Sequence, residues 1–150
     1  MTYTTERARP EELDAALELL RRAGLPEQGV AKSFGHYLVV RDAARLVGLC
    51  GLEVHGDAAL LRSVVVDPQY RGEGVGQALL DGACELAGKV GAARLYLLTT
   101  TTRDYFARAG FEDVPRDAAP PGIRDSWEFK SGCPATAAFM RRDVPRAPAG

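Results

Sequence analysis

The stretch Arg71-Gly72-Glu73-Gly74-Val75-Gly76-Gln77 places three glycines, alternating over five residues, beside an arginine. Glycine allows positive φ and lets a backbone approach a ligand closely. Where such a turn opens a helix, successive N–H groups and the helix dipole form a concavity for an anion, with phosphate or pyrophosphate the natural guest. Individual residues exclude two common nucleotide patterns. The dinucleotide pattern G-x-G-x-x-G needs a glycine where Gln77 stands, and the nucleotide P-loop needs a Gly-Lys-Ser/Thr tripeptide that the chain lacks.

A second constellation comes from a hairpin. Two apolar runs, RLVGLCGLEV and ALLRSVVV, flank His55-Gly56-Asp57, and Gly-Asp is a two-residue turn signature. That turn would pair His55 with Ala58, Glu53 with Leu60 and Gly51 with Arg62, putting Glu53 and Arg62 diagonally on one face. Gly51 would leave open space beside Arg62. A cation in a central strand is costly unless paired. Two partners stand open, and they can coexist: Glu53 in an ion pair that holds the hairpin, or the carboxylate of a ligand.

The elements that must position these groups follow from periodicity and breakers. Thr2 to Ala8 reads as a first strand, and Pro10 opens a helix through Leu13, Leu17 and Leu20 that stops at Gly24-Leu25-Pro26. Residues 27–34 read as a short helix and Tyr37 to Arg41 as a strand. After the hairpin, Val75 to Val90 is helical, Arg94 to Thr99 is a buried strand, and Thr101 or Thr102 caps a helix that Gly110 ends. Phe111 to Val114 reads as a strand, 115–134 as a long connection with one helical turn, and Ala135 to Arg141 as the closing strand. This order predicts one α+β domain over residues 1–144, with 145–150 a fraying tail.

Composition bounds the partners. The 150 residues carry 19 Lys+Arg against 20 Asp+Glu, a net charge of −1, and a pI near 6.1. That balance lacks the basic excess of a nucleic-acid binder, and no apolar run is long enough to span a bilayer. The N-terminus has no apolar signal region, and three widely spaced cysteines suit reduced thiols, so a cytoplasmic setting is expected. His36 and His55 lack metal-ligand spacing, and no metal is expected.

The pattern Arg-x-x-Gly-x-Gly after a valine-rich strand, within V-V-V-D-P-Q-Y-R-G-E-G-V-G, resembles the signature of the GCN5-related N-acetyltransferases (GNAT). The R-P-E-E helix start, the hairpin and Y-F-A-R-A-G-F extend the resemblance over nearly the whole chain. L-L-R-S-V-V-V, L-Y-L-L-T-T-T-T, D-Y-F-A-R-A-G-F and G-C-P-A-T-A look like the arsenic-resistance branch, similar to arsinothricin N-acetyltransferases; N-acetylglutamate synthase-like proteins share part of the pattern. The resemblance implies a mixed, mostly antiparallel twisted sheet flanked by helices, with acetyl-coenzyme A as co-substrate. It assigns the coenzyme to Val64, Val65, Val66, Arg71, Gly72, Glu73, Gly74, Val75, Gly76, Gln77, Thr99 and Phe106, and the acceptor to Arg62, Thr100 and Tyr105. The partner is then a small-molecule amine, and a homodimer is left open.

Acetyl transfer needs a neutral amine, whereas an alkylamine near pH 7 is protonated. Glu53 is the candidate for the proton, and Arg62 for the carboxylate of an amino-acid acceptor. Many superfamily members carry a Tyr four residues before the Gly of the Gly-Phe pair. Phe106 stands there, and Tyr105 is rotated about 100° around the helix. That change keeps a non-catalytic coenzyme A-binding sensor in view. Tyr105 could be an acceptor wall, an alternative acid or a surface residue, with wall or surface favoured. Thr99 to Thr102 could touch the coenzyme arm or cap the helix. Cys50 and Cys84 read as core thiols, and Cys133 as a small turn residue or a thiolate toward trivalent arsenic. Arg124 and Trp127, on the long connection, could line an acceptor pocket, with packing of Trp127 on the sheet the plainer account.

Overall fold

The computed structural model describes residues 3–132 and 136–145. Its strands are β1 (Glu6–Arg7), β2 (Tyr37–Asp42), β3 (Arg45–His55), β4 (Ala58–Val66), β5 (Arg94–Thr99), β6 (Glu112–Asp113) and β7 (Ala138–Asp143). They form one sheet in the order β1-β2-β3-β4-β5-β7-β6, parallel only between β4 and β5. Helices α1 (Leu13–Arg22), α2 (Val30–Ser33), α3 (Val75–Lys89), α4 (Arg103–Arg108) and α5 (Pro121–Arg124) complete an α+β architecture of the expected kind.

One sheet face packs on α3, whose Leu79, Leu80, Ala83 and Leu86 meet Leu38, Val40, Val47 and Leu61. The opposite face carries two separate apolar clusters. Under α1 and α2 lie Ala16, Leu20, Val30, Val39 and Leu49; under α5 lie Leu60, Tyr96, Ile123 and Phe139. The interval between those two clusters is where the charged residues of β3 and β4 emerge.

Two distortions shape the centre of the sheet. The β3–β4 register shifts between Leu49 and Gly51, and Ser63 adopts φ 61°. Such a bulge bends a strand and increases its twist. The β4–β5 ladder ends at Leu60 and Tyr96, although β4 runs on to Val66 and β5 to Thr99. The two parallel strands therefore diverge into a wedge that opens toward the N-terminus of α3.

Several sequence expectations are corrected. Among the described residues the first strand pairs only at Glu6–Arg7, with the Ala8 N–H donating to the Tyr37 carbonyl at 2.9 Å, and the following helix begins as a 3₁₀ turn at Pro10–Glu12. The 111–114 segment is paired at Glu112–Asp113, and the Val114 N–H continues to the Phe139 carbonyl at 2.9 Å, while Phe111 turns inward against Phe106. The long connection holds three helical turns rather than one, at Arg116–Ala118, α5 and Glu128–Gly132. The closing strand is shifted to Ala138–Asp143, where Asp143 pairs with Arg94. Cys133 and most of the 145–150 tail lie outside the described residues.

Candidate active site

The glycine turn is built from residues with separate jobs. Gly72 and Gly74 take φ of 79° and 92°, and a Cβ on either would meet open space, so their role is backbone conformation. Gly76 has ordinary φ and supplies room instead: a Cβ there would lie 2.6 Å from the Tyr105 hydroxyl. Val75 is buried and anchors the first turn of the 15-residue α3, while Arg71, Gly72, Glu73 and Gly74 face solvent. Exposed N–H groups at the start of a long helix suit an anion. Asp67 fixes the approach to this turn, accepting the Gln69 N–H at 2.9 Å and pairing with Arg45 at 2.7 Å. Glu73 accepts the Tyr3 hydroxyl at 2.8 Å, and Gln77 donates to Asp81 at 2.9 Å.

Around the wedge, Val64 and Val66 pack on the α3 face and Val65 on the α1–α2 face. Thr99 Oγ1 accepts the Thr102 N–H at 3.2 Å and lies 2.7 Å from the Thr102 hydroxyl. Thr102 thus holds the N-cap position of α4 without capping it through its own side chain, a correction to the expected cap. Thr100 is exposed. Phe106 is a core ring, edge-on to Tyr105 and Phe111. Tyr105, over a third exposed, reaches from α4 across to α3.

The hairpin pairs as the turn chemistry predicts: His55 with Ala58, Glu53 with Leu60, Gly51 with Arg62. Arg62 Nη1 donates to Glu53 Oε2 at 2.7 Å, and Arg62 Nη2 lies 3.6 Å from Glu128 Oε1. The Arg62 side chain is 1% exposed, and its Nε and Nη2 have no hydrogen-bond partner among the described residues. Buried donors of this kind are rare and point to an acceptor that completes the site. The space expected at Gly51 is filled by the Tyr37 ring, which any side chain at 51 would strike. Tyr37 donates to or accepts from the Ser63 hydroxyl at 2.8 Å, and burial pushes its pKa up to about 12, so it stays a neutral phenol.

Sequence reasoning missed two residues here. Glu128 sits in a helical turn of the long connection, and no spacing links it to Arg62. Gly29, at φ 80°, puts backbone over the ion pair; a Cβ there would lie 3.0 Å from Arg62 Nη1. The Arg124 guanidinium donates to the carbonyls of Asp117 and Ala119, and Trp127 is exposed rather than packed on the sheet. Cys50 is buried, its thiol pushed up to about 12 by desolvation, and Cys84 is half-buried against the same core.

A wedge between parallel strands thus stands beside a glycine-rich helix start, and the comparisons say which family carries this arrangement. The model of the Acetyltransferase (GNAT) domain family matches residues 33–113, and the chain belongs to that family of acyltransferases. An amino-acid acetyltransferase of Mycobacterium tuberculosis is 35% identical over 71 residues, 47% of this chain and 40% of the relative. The fold superposes on N-acetylglutamate synthase from Neisseria gonorrhoeae, solved with coenzyme A and N-acetyl-glutamate (TM-score 0.83, 20% identity, 97% of this chain, 36% of that one). It also superposes on the ribosomal-protein-S18-alanine N-acetyltransferase of Escherichia coli (TM-score 0.72, 21% identity, 98% and 97%). The chain spans less than half the length of the first curated relatives that it matches. Among the described residues no helix is long and apolar enough to cross a membrane.

Proposed function

We propose that this chain transfers the acetyl group of acetyl-coenzyme A directly to the amine of a small amino-acid-like acceptor, with arsinothricin or a phosphinic analogue the first acceptors to test. The carrying observation is Arg62, buried on the sheet face opposite α3 with Nε and Nη2 unsatisfied beside the Glu53 carboxylate. A planar guanidinium matches a carboxylate bidentately. It therefore orients an amino acid whose amine lies toward Glu53.

Acetyl-coenzyme A supplies the activated thioester. The open N–H groups of 72–77 suit its pyrophosphate, and the wedge beside Val64, Val65 and Val66 suits its arm, with Thr99 at the β5 end. Glu53 takes the proton from the acceptor ammonium, so that a neutral amine attacks. No nucleophile with a matched base lies among the described site residues, which favours transfer within a ternary complex. Phe106 carries no acidic proton, and the coenzyme thiolate leaves unaided, with Tyr105 serving as a wall. Tyr105→Phe should then leave kcat within a few-fold; a hundredfold loss at constant KM would make Tyr105 the acid.

The test is a thiol-release screen with acetyl-coenzyme A and L-glutamate, arsinothricin, a phosphinic amino acid, their decarboxylated amines and an Ala-starting peptide. Turnover of the carboxylate-bearing amines supports the reading. Turnover of the peptide alone makes the chain a protein acetyltransferase, and coenzyme binding without release makes it a sensor.

A further inference from the structure

His55 lies on the same sheet face as Glu53 and Arg62, two residues beyond Glu53 at the end of β3. Its Nε2 is 3.4 Å from Glu53 Oε1, while the other carboxylate oxygen of Glu53 is held by Arg62. The exposures form a gradient: the Arg62 side chain is 1% accessible, Glu53 14% and His55 23%. Gly122 of α5 packs on the imidazole so closely that a Cβ there would lie 2.8 Å from the His55 Cβ and 3.0 Å from Nδ1. The ring is thus confined between α5 and Glu53, with Nε2 toward the carboxylate and the side chain as a whole 23% accessible.

We propose that His55 is a positioning and relay residue that moves the acceptor's proton from Glu53 to solvent. The inference rests on the reading of Glu53 as proton acceptor. An N–H bond of the acceptor ammonium breaks as an O–H bond forms on Glu53 Oε1. That O–H breaks as an N–H forms on His55 Nε2, and the imidazolium releases its Nδ1 proton to water. Glu53 returns to its anion and His55 is left neutral with its hydrogen on Nε2; exchange of that hydrogen through water back to Nδ1 frees Nε2 for the next turnover, and the Glu53–Arg62 ion pair is restored once the carboxyl proton has left. Imidazole is suited to this task because it accepts on one nitrogen and donates from the other. Among the described residues the charged group against the pair is Arg62 from β4, with Glu128 of the Glu128–Gly132 turn behind it at 3.6 Å; α5 presents the uncharged Gly122. The 3.4 Å separation is long, as hydrogen bonds of unliganded sites often are before substrate tightens them.

Three variants separate the possibilities in the thiol-release assay with acetyl-coenzyme A and L-glutamate, arsinothricin or its phosphinic analogue. His55→Asn keeps a hydrogen-bonding group but cannot relay; kcat should fall by about tenfold or more with KM unchanged. His55→Ala should show the same loss and recover saturably with added imidazole, whereas Glu53→Gln should lose activity that imidazole does not restore. Equal kcat in wild type and both His55 variants, or no imidazole effect, overturns the relay and leaves Glu53 standing. Full activity in Glu53→Gln, or no turnover by wild type with any of the three acceptors, removes the underlying reading and the relay with it. A readout independent of activity uses the fact that the chain has two histidines. Glu53→Gln should change the ¹⁵N tautomer pattern of His55 and not that of His36; an unmoved His55 signal shows that the pair is uncoupled and refutes the relay.

Discussion

Replacing Arg62 tests the acceptor site through two separable readouts. The guanidinium neutralises Glu53 at 2.7 Å and faces Glu128 at 3.6 Å, and all three side chains are at most 14% exposed. Arg62→Met removes the buried cation that faces both the Glu53 and the Glu128 carboxylate. Breaking a buried pair this way costs about 3–5 kcal/mol, and for a chain of 150 residues each kcal/mol lowers Tm by roughly 2–4 °C. Calorimetry should therefore find Arg62→Met melting about 6–20 °C below wild type. Adding Glu53→Gln should return part of that loss, since it removes one stranded charge. Arg62→Lys keeps the charge but not the planar fork. It should fold, and lose the hydrogen bonds to an acceptor carboxylate, worth about 1.5–3 kcal/mol or roughly 10- to 150-fold in kcat/KM. The comparison acceptor is the decarboxylated amine of the same compound, on which Arg62→Lys should match wild type within about threefold. Equal losses on both acceptors, or none on either, would refute the carboxylate role of Arg62.

Three further outcomes follow from particular contacts. Gly51→Ala drives a methyl into the buried Tyr37 ring and should cost about 1–3 kcal/mol by denaturant unfolding; a neutral result would mean that the ring yields freely. Arg41 holds Glu12 through two hydrogen bonds at 2.7 and 2.8 Å and lowers its pKa below the usual carboxylate value. A lowered carboxylate pKa gives stability that is complete above the unfolded value and is lost as pH falls through the folded one, so Glu12→Gln should flatten the acid limb of the stability–pH curve. Cys50, with its thiol pushed up to about 12 by burial, should resist alkylation at pH 8 until the chain unfolds, whereas rapid labelling in the native state would contradict the packing.

The hairpin was legible because turn chemistry fixes register: once Gly56-Asp57 is the turn, the pairing of Gly51 with Arg62 follows by counting. The glycine turn was legible for the same local reason, since Gly72 and Gly74 sit at positive φ. What escaped depends on contacts far apart in sequence. Glu128 reaches Arg62 from 66 positions away, and the Tyr37 ring fills the place beside Gly51 that periodicity left empty. The bulge at Ser63 was equally hidden, because a serine with φ 61° is not what residue preference suggests. Nor does a run of four threonines say which one caps: Thr102 stands at the N-cap of α4 with no side-chain bond into the helix, and its N–H is held by Thr99, a position still in β5.

The central claim is that the main-chain amides of 72–77 hold the pyrophosphate of acetyl-coenzyme A. Titrating ¹⁵N-labelled protein with acetyl-coenzyme A and following amide signals tests it directly. Saturable shifts should centre on Gly72, Gly74, Val75, Gly76 and Gln77, with a second set along Val64–Val66. Saturation that leaves the glycine turn unmoved, or no saturable shift at all, would contradict the account.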